Sequence, residues 1–250
     1  MRILTLLLLA PALAFAQGKI ESKAYNWDDL KPVKDENRIR RQYVDGSTTL
    51  IKNLEIHTST VEAGEAPHPP HTHDDQEELV IVKEGTLKAT IKDQARVLGP
   101  GSVIYIMPHD EHGFVNAGTT PCTYFIIKFK TGSELPSDKS PMSFMVDWNE
   151  MKFMPHDKGG RRNVVDMRTR LFERFEMHIT TLNVGLTSHD PHTHKPEEII
   201  LIKEGNVEMN VGDKKEKVSE GGLVVLDSKI SHNLTNVGNK PTTYFAFQWN

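Results

Sequence analysis

His71-Thr72-His73-Asp74-Asp75-Gln76-Glu77-Glu78-Leu79-Val80-Ile81-Val82-Lys83-Glu84-Gly85 returns later in the chain as His192-Thr193-His194-Lys195-Pro196-Glu197-Glu198-Ile199-Ile200-Leu201-Ile202-Lys203-Glu204-Gly205. Each stretch is followed by one more histidine and an asparagine: His112 and Asn116 after the first, His232 and Asn236 after the second. Three imidazoles and one carboxylate make a complete ligand set for a divalent transition metal. The candidate metal ligands are therefore His71, His73, Glu78 and His112 in one copy, and His192, His194, Glu198 and His232 in the other.

The register makes this an internal repeat. His71, His73 and Trp27 lie 121 residues before His192, His194 and Trp148, whereas Glu78, Gly85, His112 and Tyr124 lie 120 before Glu198, Gly205, His232 and Tyr244. One residue is lost in the turn between the His pair and the glutamate, where loops tolerate change. Ten of the 12 histidines pair across the repeat, His57 with His178 and His68 with His189 among them. Only His109 and His156 face other residue types, Lys229 and Asp35.

Short β-branched runs such as Leu79–Val82 and Ile199–Ile202 close on Lys-Glu-Gly turns, and no long stretch keeps a helical period. The pattern predicts an all-β protein of two antiparallel units. The expected division is residues 17–130, a Ser/Pro/Gly-rich linker over 131–145, and residues 146–250. Each half opens on a matched lead-in around Trp27 or Trp148, followed by Arg40-Arg41 or Arg161-Arg162. Whether these lead-ins cross to the other half is left open by the sequence.

His-x-His on a strand puts both imidazoles on one face, and the glutamate arrives on the next strand. With a third histidine from a later strand, an octahedral ion keeps two open positions. In these motifs the chain resembles the cupin superfamily, specifically a bicupin. The residues that carry the likeness are Gly64, His71, His73, Glu78, Gly85, Pro108, His112 and Asn116, with Gly185, His192, His194, Glu198, Gly205, His232 and Asn236 in the second copy. The gap from glycine to the first histidine is one residue longer than the family's usual spacing, and Asp227-Ser228 stands where its second motif usually has proline. The resemblance implies two tandem cupin barrels of double-stranded β-helix, or jelly-roll, type. It also implies one divalent transition metal per barrel, two per chain, with Fe, Mn, Zn, Cu, Ni and Co not distinguished.

Bulk properties narrow the class further. Residues 1–16 read as a secretory signal: Arg2, an apolar run, then Ala14-Phe15-Ala16 as a cleavage site that leaves Gln17 first. The apolar run is too short to span a bilayer. A soluble periplasmic or secreted protein is expected. The formal net charge is −4, which predicts neither nucleic-acid binding nor strong membrane attraction. The single cysteine, Cys122, excludes an internal disulfide and reads as a small buried residue. The expected partner is a small-molecule substrate, with no nucleic acid and no membrane span; a homo-oligomer is left open.

Three further side chains are catalytic candidates. His68 and His189 stand three residues before the metal pairs and could hydrogen-bond substrate or shuttle a proton. Tyr105 is the candidate donor of the first site and Phe114 its stacking face, and on their account the first site is expected to be the catalytic one. His57 and His178 read as supporting residues. Phe114, Leu234, Val80, Val82, Ile200 and Ile202 should line mostly apolar cavities by strand parity. No arginine lies between residues 48 and 94 or between 175 and 250, the regions expected to hold most of the site, which argues against oxalate decarboxylation. The resemblance then implies an exported metal-dependent enzyme, a quercetinase-like dioxygenase acting as an oxidoreductase on a metal-chelating substrate. The alternatives are a redox-neutral isomerase, lyase or hydrolase on a sugar or uronic acid, and a non-catalytic small-molecule-binding bicupin.

Overall fold

Alternation along single strands sets the architecture. In the computed structural model, which describes residues 18–136 and 141–250, strand β5 (Glu77–Glu84) is buried on both faces. Val80 and Val82 join a cluster inside the first half, while Leu79 and Ile81 join a cluster shared by both halves. The expected signal over residues 1–16 lies outside the described residues. Among the described residues no helix is long and apolar enough to cross a membrane.

The chain is almost entirely β, in two like halves. In chain order the first half holds β1 (Lys23–Tyr25), β2 (Val33–Lys34), β3 (Ile39–Gly46), β4 (Asn53–Val61), β5, β6 (Leu87–Ile91), β7 (Gln94–Leu98), β8 (Val103–Ile106), β9 (His112–Asn116) and β10 (Cys122–Lys130). The second holds β11 (Phe144–Val146), β12 (Met154–His156), β13 (Gly159–Met167), β14 (Phe175–Leu182), β15 (Glu197–Glu204), β16 (Asn206–Val211), β17 (Lys214–Ser219), β18 (Leu223–Leu226), β19 (His232–Asn236) and β20 (Thr242–Trp249). One sheet runs β11-β8-β5-β10-β4-β3-β2 and faces a small sheet β7-β6-β9 across the first cluster. The other pair, β1-β18-β15-β20-β14-β13-β12 and β17-β16-β19, repeats this arrangement. These are the two expected jelly-roll barrels.

The open question about the lead-ins is decided by pairing. Strand β1 joins the second half's sheet, Lys23 opposite Val225, and β11 joins the first half's sheet, Phe144 opposite Tyr105. Residues 144 and 145 of the expected linker are thus part of a strand. Each crossing strand leads to a tryptophan met by two cations of the half that the chain then enters. Arg41 and Lys83 lie 4.5 and 4.9 Å from the Trp27 ring; Arg162 and Lys203 lie 4.5 and 4.8 Å from that of Trp148.

Glu77 and Glu197 fasten the halves reciprocally. Glu77 accepts from the Arg170 and Leu171 amides of the other half at 2.8 and 3.0 Å, and from the Tyr105 hydroxyl. Glu197 accepts from Thr48 Oγ1 at 2.6 Å and the Leu50 amide at 2.8 Å, also of the other half, and from Trp249 Nε1 at 3.1 Å. Around them lies the shared core, with Phe129, Phe172, Phe175, Phe247 and Trp249 at its centre. The turns after β5 and β15 need glycine. Gly85 has φ 83°, and a Cβ there would stand 2.6 Å from the Cys122 Cα.

Truncating either latch orphans buried N–H donors. Glu77→Ala and Glu197→Ala should each cost about 2–4 kcal/mol, read as a lowered midpoint in urea denaturation. Glu77→Gln, which keeps the acceptor oxygen, should cost clearly less; equal losses for Ala and Gln would contradict the latch.

Candidate metal centres

Backbone pairing brings the histidines together before any metal is considered. His71 pairs with His112 through amide–carbonyl bonds of 3.0 and 2.9 Å, and His192 with His232 through bonds of 3.2 and 3.0 Å. The His-x-His segments are thus extended chain bridged to the first residues of β9 and β19, not strands of their own. Glu78 and Glu198 come from β5 and β15, one residue past the latch glutamates and on the opposite face.

The side-chain atoms converge. In the first site His71 Nε2 and His73 Nε2 are 3.1 Å apart, His73 Nε2 is 3.3 Å from Glu78 Oε2, and His112 Nε2 is 3.9 Å from Glu78 Oε1. In the second, Glu198 Oε2 stands 3.2 Å from His194 Nε2 and 3.0 Å from His232 Nε2. Ligands about 2.1 Å from one ion and at right angles to each other are about 3 Å apart, so these spacings fit a common metal. The far nitrogens are fixed as well. His112 Nδ1 meets Asp110 O at 2.9 Å, His194 Nδ1 meets Pro196 O at 2.8 Å, and His232 Nδ1 meets Ile230 O at 2.9 Å. Bonding Nδ1–H to a carbonyl leaves the Nε2 lone pair for a metal. His112 Nε2 is buried with no hydrogen-bond partner, an orphan acceptor that a metal would satisfy.

Electrostatics point the same way. Burial raises the Glu78 carboxyl, but the hydrogen bond from His73 and the charges of His112 and Lys128 outweigh it and hold it at about 2. Glu198 is held at about 2 against burial by hydrogen bonds from His194 and His232. Burial, then repulsion from His112 and His68, pulls His71 down to about 4. The carboxylates are charged and His71 is neutral, as metal ligation requires. Cys122 is buried and its thiol is pushed up to about 12 by that burial, so nitrogen and oxygen remain the donors.

His68 and His189 reach the triads. Their rings lie edge-on to His71 and His192 at centroid distances of 4.4 and 4.2 Å, and each keeps Nδ1 on a neighbouring carbonyl at 3.0 Å. Tyr105 does not reach them, which corrects its assignment as the first site's donor. It lies on the outward face of β8, fully buried in the shared core, bonded to Glu77 and stacked 5.7 Å from Phe144. Parity is the reason: Glu78 pairs with Ile106, and Tyr105 shares the other face with Glu77.

The two surroundings differ: where His71 of the first triad is half-buried, His192 of the second is exposed. A cavity of about 580 Å³ there is lined by the triad, Glu198, Leu234 and Ala246, and also by His156, Lys158, Arg161, Arg174, His178 and Gln248. The expectation of a mostly apolar cavity is therefore corrected for this site. The arginine-free stretches do not bound it either, because β13 and the loop before β14 supply Arg161 and Arg174. Both arginines are held by carboxylates of their own, Glu176 and Asp166. Ala246 pairs with His178 across β14 and β20, where the first half sets Ile126 against His57. His57 is 3% exposed at its side chain and His178 18%. Sequence reasoning left His178 as a support and missed Glu176, whose carboxylate takes His178 Nδ1 at 2.9 Å. The repeated Glu-x-His of Glu55-Ile56-His57 and Glu176-Met177-His178 was the available signal.

Each triad should load one ion, close to two per chain, and His73→Ala or His194→Ala should each remove one by elemental analysis. Metal at about 100 times its Kd should add roughly 2.7 kcal/mol of stability. A chain that takes up no metal and gains no thermal stability would contradict the site.

The comparisons with known proteins agree with this geometry. No curated protein matches the chain in sequence. Among solved structures, AerE from Microcystis aeruginosa is 18% identical with a TM-score of 0.70, covering 91% of this chain and 99% of its own. A putative glyoxylate-induced protein from Pseudomonas aeruginosa is 15% identical with a TM-score of 0.73, covering 97% and 93%. The formate complex of Lactobacillus farciminis oxalate decarboxylase is 14% identical with a TM-score of 0.71, covering 93% and 87%. At these identities the likeness is one of fold. The cupin domain family itself matches twice, over residues 57–128 and 178–247, each span carrying one triad and its glutamate, and the chain therefore belongs to the cupin family as a bicupin.

Proposed function

We propose that this bicupin is a metal-dependent enzyme whose working centre is the second barrel, moving protons on a small organic molecule held there through its oxygens. One observation carries the reading: His178 lines the same cavity as the second triad while Glu176 holds its Nδ1. Bound by His192, His194, Glu198 and His232, a divalent ion would supply the positive charge that acidifies a proton beside a coordinating oxygen. With Nδ1–H committed to Glu176, His178 presents Nε2 as a proton acceptor. Burial raises the Glu176 carboxyl, but the hydrogen bond from His178 and the Arg161 charge outweigh it, so a carboxylate faces the ring. Arg161 Nη2 bonds the same oxygen at 2.8 Å and Gln248 Nε2 the other at 3.3 Å, which orients the pair. His189, beside His192, is placed to pass a proton to solvent. The oxalate decarboxylase of like fold, captured with formate, lends support to chemistry on small acids.

The oxygen-using, quercetinase-like reading has one observation in its favour. The first triad borders an apolar wall, with Phe114 5.9 Å from His112 and continuous with Val80 and Ile126. Export to a periplasm or the medium is proposed on the pattern of residues 1–16 alone.

Metal-reconstituted protein offered hydroxy acids and uronic acids in deuterated water should incorporate deuterium without oxygen uptake. His178→Ala should lower that rate by about 10²-fold, and His57→Ala far less. Oxygen consumption with flavonols, insensitive to His178, would sink the proton-transfer reading and leave the dioxygenase. Mass spectrometry of the natively expressed protein should find Gln17 at the N-terminus; a chain beginning at Met1 and confined to the cytoplasm would refute export.

A further inference from the structure

The wall of the second cavity is lopsided in charge. Lys158, Arg161 and Arg174 line it, while its only lining carboxylate is Glu198, a metal-ligand candidate. Two of the three cations are answered. Arg161 pairs with Glu176 at 2.8 Å, and Arg174 takes both oxygens of Asp166 at 2.8 Å. Lys158 forms no ion pair among the described residues. Its Nζ donates to the Thr187 and Ser188 carbonyls at 2.8 and 2.9 Å. Those neutral acceptors hold the ammonium beside the segment that leads into His189 and His192, and they leave its charge uncancelled. An ammonium has three N–H donors, so one remains. At the matching place the first half has Asn37, which is uncharged.

Resting on the reading that the second triad holds the working metal, we propose that Lys158 is the carboxylate anchor of this cavity, and that its ligand is a small hydroxylated carboxylic acid of the aldonic or uronic type. The acid group meets Lys158 while a hydroxyl or carbonyl oxygen reaches the triad. Thr180, Ser188, Asn233 and Gln248 in the same wall supply donors and acceptors for further hydroxyls. The cavity lies within the span of about 300–1,000 Å³ typical of ligand sites. A phosphate fits less well, because the two guanidinium forks that would grip it are already taken by Glu176 and Asp166. A flat neutral molecule would leave the ammonium facing it without a counter-charge.

The test is calorimetry on the zinc-loaded full chain with gluconate and glucuronate, and with glucitol and glucose as their uncharged counterparts. At least one acid should bind, one per chain and more tightly than its neutral counterpart, and more weakly as salt rises. Lys158→Ala and Lys158→Gln should each weaken it about tenfold, as expected for a charge-assisted hydrogen bond, while Lys158→Arg stays within about threefold. Zinc content and melting temperature should match the parent protein in all three variants, since Lys158 is exposed. Binding of neither acid, or equal binding by parent and Lys158→Ala, overturns the anchor. Zinc analysis of His194→Ala separates the two claims: if that variant loses no zinc, the metal reading of the second triad has failed, and with it the premise of the anchor.

Discussion

Two adjacent glutamates on one strand, facing opposite ways, are the constraint on which the rest depends. In each half the second of the pair joins three imidazoles, and the first is driven into the seam between the halves, where it takes backbone amides from the other half. A carboxylate buried without partners costs several kcal/mol, so neither position is tolerable unless its surroundings are complete. For Glu78 and Glu198 the surroundings are histidines arranged as for a metal. For Glu77 and Glu197 they are the tight turns at residues 48–51 and 169–172 of the opposite half. The metal centre and the seam between the barrels are thereby built on the same strand, one residue apart.

Crossing strands strengthen that dependence. Strand β1 forms one edge of the second barrel's large sheet and β11 one edge of the first's, so each half takes one of its two sheet edges from the other. The edge strands so added are only three residues long, a short template for unwanted strand pairing. The tryptophans that follow each crossing strand, each met by an arginine and a lysine of the next half, fix the entry of the chain into it.

Duplication made two metal sites, and packing made them unequal. Phe114 lies against His112 of the first triad and shares an apolar cluster with Ile126, whereas Leu234 and Ala246 line the cavity at the second. That exchange of an isoleucine for an alanine exposes His178 where His57 stays sealed. Both histidines keep the same bond to a glutamate two residues earlier, so the difference lies in access and not in the hydrogen-bonded pair. The cations of β13 and of the turn before it then give the second cavity a polar wall that the first half's apolar cluster does not predict.

The sequence by itself determined the repeat, the all-β class, the cupin family and all eight ligand candidates. These are local or periodic properties: a His-x-His segment, a fixed offset and strand parity survive without knowledge of the third dimension. It also carried His68 and His189 to the edge of the triads, because three residues of chain, bent at each of these histidines, cannot stray far. Tertiary structure alone decided the rest. Parity says that Tyr105 and Glu77 share a face, but only the packing of the other half shows that face to be a buried seam and not a cavity. Likewise Arg161 and Lys158 lie outside the ligand stretches in sequence, and only the antiparallel return of β13 along β14 brings them to the cavity wall. The different exposure of His57 and His178 goes with Ile126 opposite the one and Ala246 opposite the other, pairings between distant strands that no local pattern records.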